Sequence, residues 1–271
     1  FKDKTVNWMY QTEPEPGLDG RSVFQPRGKV LGGSSSINGL LYVRGQHADY
    51  DRWRQRGNVG WGYDDVLPYF KRAEDQQRGA DDYHAVGGPL PVSDWRHDDP
   101  LSEAFVKAAV ETGIPYNPDF NGGTQEGAGF FQTTTIRGRR ASSAFCYLHP
   151  AKRRDNLHVE TDALAQRIVF EGRRARAVEF RQHGHVRTAR ARREVLVSSG
   201  AYNSPQLLQL SGVGPSELLK RHGIGVVLDA PGVGHDLQDH MQVRIVMRCS
   251  QRITLNDIIN HPLRRVLAGV R

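Results

Sequence analysis

The sequence predicts a mixed α/β fold, and three stretches carry that prediction. Residues 157–191 form short runs of alternating apolar and polar side chains, broken at Glu171-Gly172 and His183-Gly184, the pattern of consecutive antiparallel strands joined by tight turns. After them, Glu194-Val195-Leu196-Val197-Ser198-Ser199 reads as a buried strand that passes through Gly200-Ala201 into a helix, the corner at which open α/β sheets hold ligands. Residues 100–113 place Leu101, Ala104, Phe105 and Ala108 on one helical face and end at Gly113, a natural helix stop.

The remaining elements follow in chain order. Residues 10–20 are rich in turn formers and read as loop. Residues 48–54 and 63–72 read as short helices, the second with Asp64 and Asp65 at its start and Lys71 and Arg72 at its end, as the helix dipole favours. Pro68 is expected in its first turn, where a missing N–H is harmless. Residues 78–94 are a polar connection, residues 117–131 a glycine-rich loop, and a short helix is expected around 143–148. Residues 157–160, 163–170, 175–180 and 186–191 are the expected strands. In the helix after Gly200-Ala201, Asn203 or Ser204 is the expected cap, with Pro205 in the first turn.

Composition narrows the function classes. The chain has 271 residues, 38% of them hydrophobic, enough for one large or two intermingled domains. No apolar run reaches the ~18 residues of a bilayer span, and the first residues lack the apolar core of a secretion signal. Opening on Phe1 and stopping at Arg271 without a closing element, the sequence reads as an internal piece of a longer protein. Its formal charge is +7 and its pI about 9.6, but the arginines are scattered and no aromatic side chains interleave with them as stacking platforms would, so nucleic acid is not the expected partner. The densest basic run, residues 173–193, fits the solvent side of antiparallel strands. Cys146 and Cys249 lie far apart and form no CxxC pair, which indicates neither a disulfide framework nor a zinc site and favours a reducing, cytoplasmic location.

Residues 26–45 are the stretch most suited to touching a ligand. Glycine and serine let main-chain N–H groups approach a flat or anionic group with no Cβ in the way, and Asn38 adds an amide that both donates and accepts. Val30, Leu31, Ile37, Leu40 and Leu41 punctuate the polar run at close spacing and favour an ordered loop over a linker.

Three motifs then carry a resemblance. Gly28-Lys29-x-Leu31-Gly32-Gly33-Ser34-Ser35-x-Ile37-Asn38-x-x-x-Tyr42-x-x-Gly45, then Gly200-Ala201-x-x-Ser204-Pro205-x-Leu207-Leu208-x-x-Ser211-Gly212-Val213-Gly214, and Pro231-Gly232-Val233-Gly234-His235-Asp236-Leu237-Gln238-Asp239-His240 resemble segments of the glucose-methanol-choline (GMC) family of FAD-dependent oxidoreductases, in the family's order. The likeness is nearest to the choline and alcohol dehydrogenase branch. Two departures stand out: no GxGxxG occurs in this sequence, and the family's catalytic histidine falls beyond Arg271, so this stretch alone is expected to be inactive.

The resemblance implies an incomplete Rossmann-like FAD-binding domain, residues 1–98 and 139–247, with part of an antiparallel-sheet substrate domain, residues 99–138 and 248–271. It implies that Val30, Gly33, Ser35, Asn38, Gly39, Leu40 and Leu41 line the flavin mainly through backbone. Ala165 meets the adenine end through its main chain, and Gly200 and Ala201 approach the cofactor at the sheet's edge. FAD is expected to be non-covalent, because Ile37 stands where covalently flavinylated relatives carry histidine. His240 falls near the substrate side of the flavin and Gln242 at a substrate contact. Choline-oxidising relatives carry glutamate at the latter position, and a neutral amide lacks the charge that attracts a quaternary ammonium, so a non-choline primary alcohol is expected, with choline as the alternative. The electron acceptor, quinone-type or oxygen, is left open, and a location peripheral to the inner membrane is the alternative to a cytoplasmic one. Other histidines, among them His47, His84 and His149, read as surface or structural. A flavin-containing lyase of the same family and a non-catalytic basic binding protein are the rival classes.

Overall fold

The computed structural model describes residues 3–95, 99–240, 242–251 and 253–262. It forms two compact units, Phe1–Leu157 with Cys249–Arg271, and His158–Arg248. Of the expected domain segments, residues 1–2, 96–98, 241, 252 and 263–271 lie outside the described residues.

In the first unit the stretch expected as loop makes a small hairpin: β1 (Tyr10–Gln11) pairs antiparallel with β2 (Phe24–Gln25), and a single 3₁₀ turn at Pro16–Leu18 sits between them. Helices α1 (His47–Gln55) and α2 (Tyr63–Ala73) form where the charge pattern placed them. Asp65 closes the start of α2 by accepting the Gly62 N–H at 2.9 Å. Pro68 is the sixth residue of α2 rather than part of its first turn, so the helix forgoes the bond that residue 68 would donate to the Asp64 carbonyl. Two short strands pair in parallel, β3 (Glu74–Gln76) just ahead of the polar connection and β4 (Leu90–Val92) within it. Helix α3 (Pro100–Glu111) is capped by Asp99, which accepts the Ser102 N–H, and ends before Gly113 at φ +95°. Most of its expected inward face is turned outward: Phe105 is 58% exposed and Ala104 and Ala108 are also exposed, and of that face Leu101 alone is covered, with Val106 and Ala109 from its flank. Strands β5 (Thr135–Ile136) and β6 (Arg139–Arg140) form a hairpin, and a π-turn at Ala144–Leu148 leads into α4 (His149–Ala151).

The second unit is built on an antiparallel meander, β7 (Ala163–Glu171), β8 (Arg174–Gln182) and β9 (His185–Arg190). Gly172 at φ +59° and the pair His183-Gly184 at +48° and +83° make its turns, the left-handed geometry a two-residue hairpin needs. The whole of β9 is exposed, as expected for the basic run. Helix α5 (Gly200–Leu210) packs on this sheet and is followed by β10 (Val213–Gly214), α6 (Ser216–Arg221) and β11 (Leu228–Asp229), β10 and β11 being parallel neighbours. The turn α7 (Leu255–Ile259) belongs to the first unit.

Two expected strands do not form. Residues 157–160 and 194–199 are irregular, and Leu196 is 80% exposed. A central parallel strand is held by ladders on both sides, and these residues pair with no described strand, so their apolar run has nothing to be buried against. Helix α5 also begins at Gly200, three residues before the expected cap, with Pro205 inside it. Gly200 adopts φ +87°, which lets the chain turn into helix at once at a point where a side chain would be strained.

Among the described residues, twelve polar or charged side chains are buried against nine apolar ones. The core of the first unit is therefore largely a hydrogen-bond network, and its specificity comes from satisfied polar partners. No helix among the described residues is long and apolar enough to cross a membrane.

Candidate functional site

The stretch 28–41 folds back on itself, and its glycines do two different jobs. Gly28 donates its N–H to Ser34 Oγ at 3.1 Å, and a Cβ there would stand 2.2 Å from the Gly33 carbonyl oxygen. At Gly32, φ +87°, a Cβ would meet Ser36 Oγ at 2.5 Å. Both are small because the loop packs against itself. Gly33 and Gly39 differ: a Cβ on either would meet nothing within 4 Å, so each presents bare backbone to open space. Half-buried Val30 and Leu40 and exposed Leu31 and Leu41 share this stretch.

The polar side chains of the motif shape the loop. The Ser35 hydroxyl donates to the Gly32 carbonyl at 2.6 Å and accepts the Ser143 N–H at 2.9 Å. Asn38 Oδ1 accepts the Leu40 N–H at 3.1 Å, which supports Leu40 at φ +69°, and also accepts from Arg140 Nη1 at 2.7 Å. Arg140 donates further to the Ser35 and Asn38 carbonyls at 3.0 and 2.9 Å. Arg140 and Ser143, more than a hundred residues away in sequence, are thus the clamps that sequence reasoning missed. Their only local signal is a paired Arg139-Arg140 followed by small residues.

Beyond Leu41 the chain is fixed by buried polar groups. Tyr42 N–H donates to the Gln132 carbonyl at 2.9 Å, Leu41 bridges to Thr133, and the Leu40 carbonyl accepts the Thr134 N–H. Arg44, buried, pairs with Glu74 at 2.7 Å, and Asn121 Oδ1 accepts the Arg44 N–H at 2.7 Å. His84 is 3% exposed, which makes it structural rather than a surface residue.

In the other unit, Ala165 lies opposite Phe180 at the edge of a β-bulge, Gln166 standing outside the register between Ala165 and Arg167. Bulges interrupt the ladder and leave main-chain groups for other partners, the property an adenine contact through backbone needs. Gly200 and Ala201 are exposed at the start of α5, and a Cβ on Gly200 would meet nothing within 4 Å. His240 and Gln242 are exposed in an irregular stretch, His240 N–H bonding Asp239 Oδ1 at 2.8 Å. Within the first unit the structure brings together Val30, Gly33, Ser35, Asn38, Gly39, Leu40 and Leu41; within the second, Ala165 lies in β7, Gly200 and Ala201 at the start of α5, and His240 and Gln242 in the irregular stretch. No cluster of three metal-ligating side chains occurs among the described residues.

Comparison with known proteins fixes what this loop belongs to. The family model described as GMC oxidoreductase matches residues 6–242. The chain belongs to the GMC oxidoreductase family. Among its GMC relatives, the oxygen-dependent choline dehydrogenase of Brucella anthropi is 50% identical over 257 residues, covering 95% of this chain and 47% of that protein. The mitochondrial choline dehydrogenase of Mus musculus is 46% identical over 268 residues, covering 99% of this chain and 45% of the relative. Of solved structures, a formate oxidase of Aspergillus oryzae superposes with a TM-score of 0.86 at 29% identity, over 98% of this chain and 48% of that one. Pyridoxine 4-oxidase of Mesorbium loti gives 0.78 at 34% identity, over 83% and 45%. The chain spans a little under half the length of the curated relatives it matches.

GMC proteins bind FAD, and the residues present fit it. The bare backbone at Gly33 and Gly39 leaves room for a flat ring system, and Val30, Leu40 and Leu41 supply apolar contact beside it. Ser35 and Asn38 have their side-chain and carbonyl oxygens engaged within the protein, so what Asn38 offers such a group is its NH₂. Ile37, half-buried, carries no nucleophile, in keeping with FAD held without a covalent bond.

Proposed function

We propose that the protein carrying this chain oxidises choline to its aldehyde with FAD as hydride acceptor. The single observation behind this reading is the likeness, at 50% and 46% identity, to two proteins named choline dehydrogenases. In it, residues 30–41 seat the flavin through backbone and short apolar side chains, while Arg140 and Ser143 hold that backbone in shape. Ala165, Gly200 and Ala201 meet the remainder of the cofactor, and His240 and Gln242 face the alcohol. When bound, FAD supplies the hydride acceptor, and the chain's own part is to position the cofactor and to exclude water around it. The division into an FAD domain (1–98 and 139–247) and a substrate domain (99–138 and 248–271), and a cytoplasmic location, belong to the same proposal. Oxygen is taken as the electron acceptor because the Brucella anthropi relative is named oxygen-dependent.

A second reading, oxidation of an uncharged primary alcohol, is favoured by Gln242, whose neutral amide offers no charge to a trimethylammonium group. One experiment separates the two. Full-length protein is mixed anaerobically with choline and with a panel of primary alcohols while flavin absorbance is followed, then oxygen is admitted and peroxide measured. Rapid bleaching by choline with peroxide equal to aldehyde is the expected result. Bleaching by uncharged alcohols and not by choline selects the second reading, bleaching by neither refutes oxidation altogether, and aldehyde without peroxide rejects oxygen as acceptor.

A further inference from the structure

The most densely charged buried region lies some distance along the chain from the glycine loop. His84 Nδ1 is 3.0 Å from both carboxylate oxygens of Glu74, and His84 Nε2 is 2.9 Å from Asp119 Oδ2. With an acceptor on each ring nitrogen, both nitrogens carry hydrogen and the ring is an imidazolium. Glu74, fully buried, also accepts from Arg44 Nη2 at 2.7 Å. The set is two cations and two anions without net charge, Arg44, Glu74 and His84 buried and Asp119 half-buried, an arrangement in which loss of one member leaves the rest uncompensated.

This cluster is wired to the glycine loop by side-chain amides. Gln76 Nε2 donates to Glu74 Oε1 at 3.2 Å and to Gln132 Oε1 at 2.9 Å, and Gln132 Nε2 returns a bond to Gln76 Oε1 at 2.9 Å. Gln132 holds Tyr42 by its carbonyl, and the residues after it hold Leu41 and Leu40. On the other side Asp119 orders its own loop: its Oδ1 accepts the Asn121 N–H at 2.9 Å, and Asn121 in turn grips Arg44 N and the Tyr42 carbonyl. Two hydrogen-bonded routes therefore run from one imidazole to the backbone of residues 40–44.

We propose that His84 is a positioning residue for the cofactor surface: clamped between Glu74 and Asp119, it fixes Gln76, Gln132 and Asn121, and through them the backbone of Leu40, Leu41 and Tyr42. The cofactor half of this inference rests on the FAD reading above. The charge state of His84 then governs the loop. Burial pushes the imidazole's pKa down, but the hydrogen bonds it donates to Asp119 and Glu74 and their negative charges outweigh it and bring it up to about 9. The groups that face it are Glu74 and Gln76 from β3, Asp119 from the loop 117–126, and Asp81, whose Oδ1 accepts the His84 N–H at 2.7 Å. Arg44 lies behind Glu74, and Arg78 adds its charge near Asp119. Deprotonation leaves one carboxylate without its imidazole donor, and the route that runs through that carboxylate slackens.

The test uses full-length protein as wild type, His84→Gln and Asp119→Asn, between pH ~7 and ~10.5. Hydrogen exchange of peptides spanning 38–45, corrected for intrinsic rates, reads the backbone directly, and flavin fluorescence reads FAD affinity. In the wild type, protection at 40–42 is expected to fall at least ~10-fold as pH passes about 9, and FAD affinity to fall with it. In Asp119→Asn the step moves to lower pH. In His84→Gln protection is low throughout and the step is gone; Asp119→Asn decides the matter if that variant does not fold. Wild-type protection that is flat with pH, or a step that Asp119→Asn leaves in place, overturns the inference. A wild type that binds FAD equally well at both ends of the range overturns the inference alone, while one that takes up no FAD overturns the proposed function as well.

Discussion

Replacing two glycines of the same loop by alanine separates packing from cofactor contact. At Gly28 an added Cβ would stand 2.2 and 2.3 Å from the Gly33 carbonyl oxygen and carbon and 2.7 Å from Ser34 N, where ordinary contact begins at 3.4 Å. All three atoms are backbone, so the loop must open by about 1 Å, and overpacking of this kind costs ~1–3 kcal/mol or more. The same opening lengthens the bond from Gly28 N–H to Ser34 Oγ, a further ~1 kcal/mol. Gly28→Ala is therefore expected to destabilise full-length apo-protein by about 3 kcal/mol in urea denaturation, with the slope unchanged. Gly39 has nothing within 4 Å of its Cβ position and does not need positive φ. Gly39→Ala should leave stability within ~0.5 kcal/mol of wild type. Its methyl group enters the space assigned to the flavin, so FAD affinity by fluorescence titration should drop at least ~10-fold, equal to about 1.4 kcal/mol. If Gly39→Ala binds FAD as wild type does, the open face of the loop is not the cofactor face; if Gly28→Ala is as stable as wild type, the loop is not held by its own close packing.

Arg140→Ala removes three donated hydrogen bonds from Asn38 and Ser35 and should cost about 2 kcal/mol, seen as a lower melting temperature together with weaker FAD binding. In the second unit, buried Ser211 accepts the Ile168 N–H at 2.7 Å and donates to the Leu207 carbonyl at 2.5 Å; Ser211→Ala orphans that strand N–H and should destabilise by ~1–3 kcal/mol in thermal unfolding, with the meander most affected in hydrogen exchange. His84 gives a pH dependence of definite sign. Its folded pKa of about 9 lies above the ordinary 6.5, so its contribution is whole below 6.5 and is lost as pH rises through about 9, a difference of about 3 kcal/mol in unfolding free energy. Asp119 acts at the other end: burial raises its pKa, but the bond from His84 and the bond from Asn121 N–H outweigh that and hold it below the ordinary carboxylate value, so its contribution disappears as pH falls into the acid range. Urea midpoints measured across pH test both limbs, and a midpoint that climbs above pH 9 contradicts the first.

The sequence by itself carried the mixed α/β class, the helices at 47–55, 63–73 and 100–111, the meander with its glycine turns, and the ordered glycine-rich loop at 28–41. Each of these has a local cause: helical periodicity, charge at helix ends, alternation along strands, or glycine where a turn requires left-handed backbone. Local rules misled where the outcome depends on what lies opposite. Leu196 stands exposed in an apolar run that read as a buried strand, and the Phe105 face of α3 points outward, because burial is decided by partners and not by periodicity. The helix after Gly200 likewise starts earlier than the expected cap at Asn203 or Ser204, since one positive φ sets where it begins.

Tertiary structure alone divided the loop's glycines into those that pack and those that face open space. It alone brought Arg140 and Ser143 to Ser35 and Asn38, and Glu74, Asp119 and Arg44 around His84. Side-chain hydrogen bonds act over about 3 Å and carry no sequence periodicity. Partners separated by 10 to 108 positions therefore become visible only when the chain has folded them into contact.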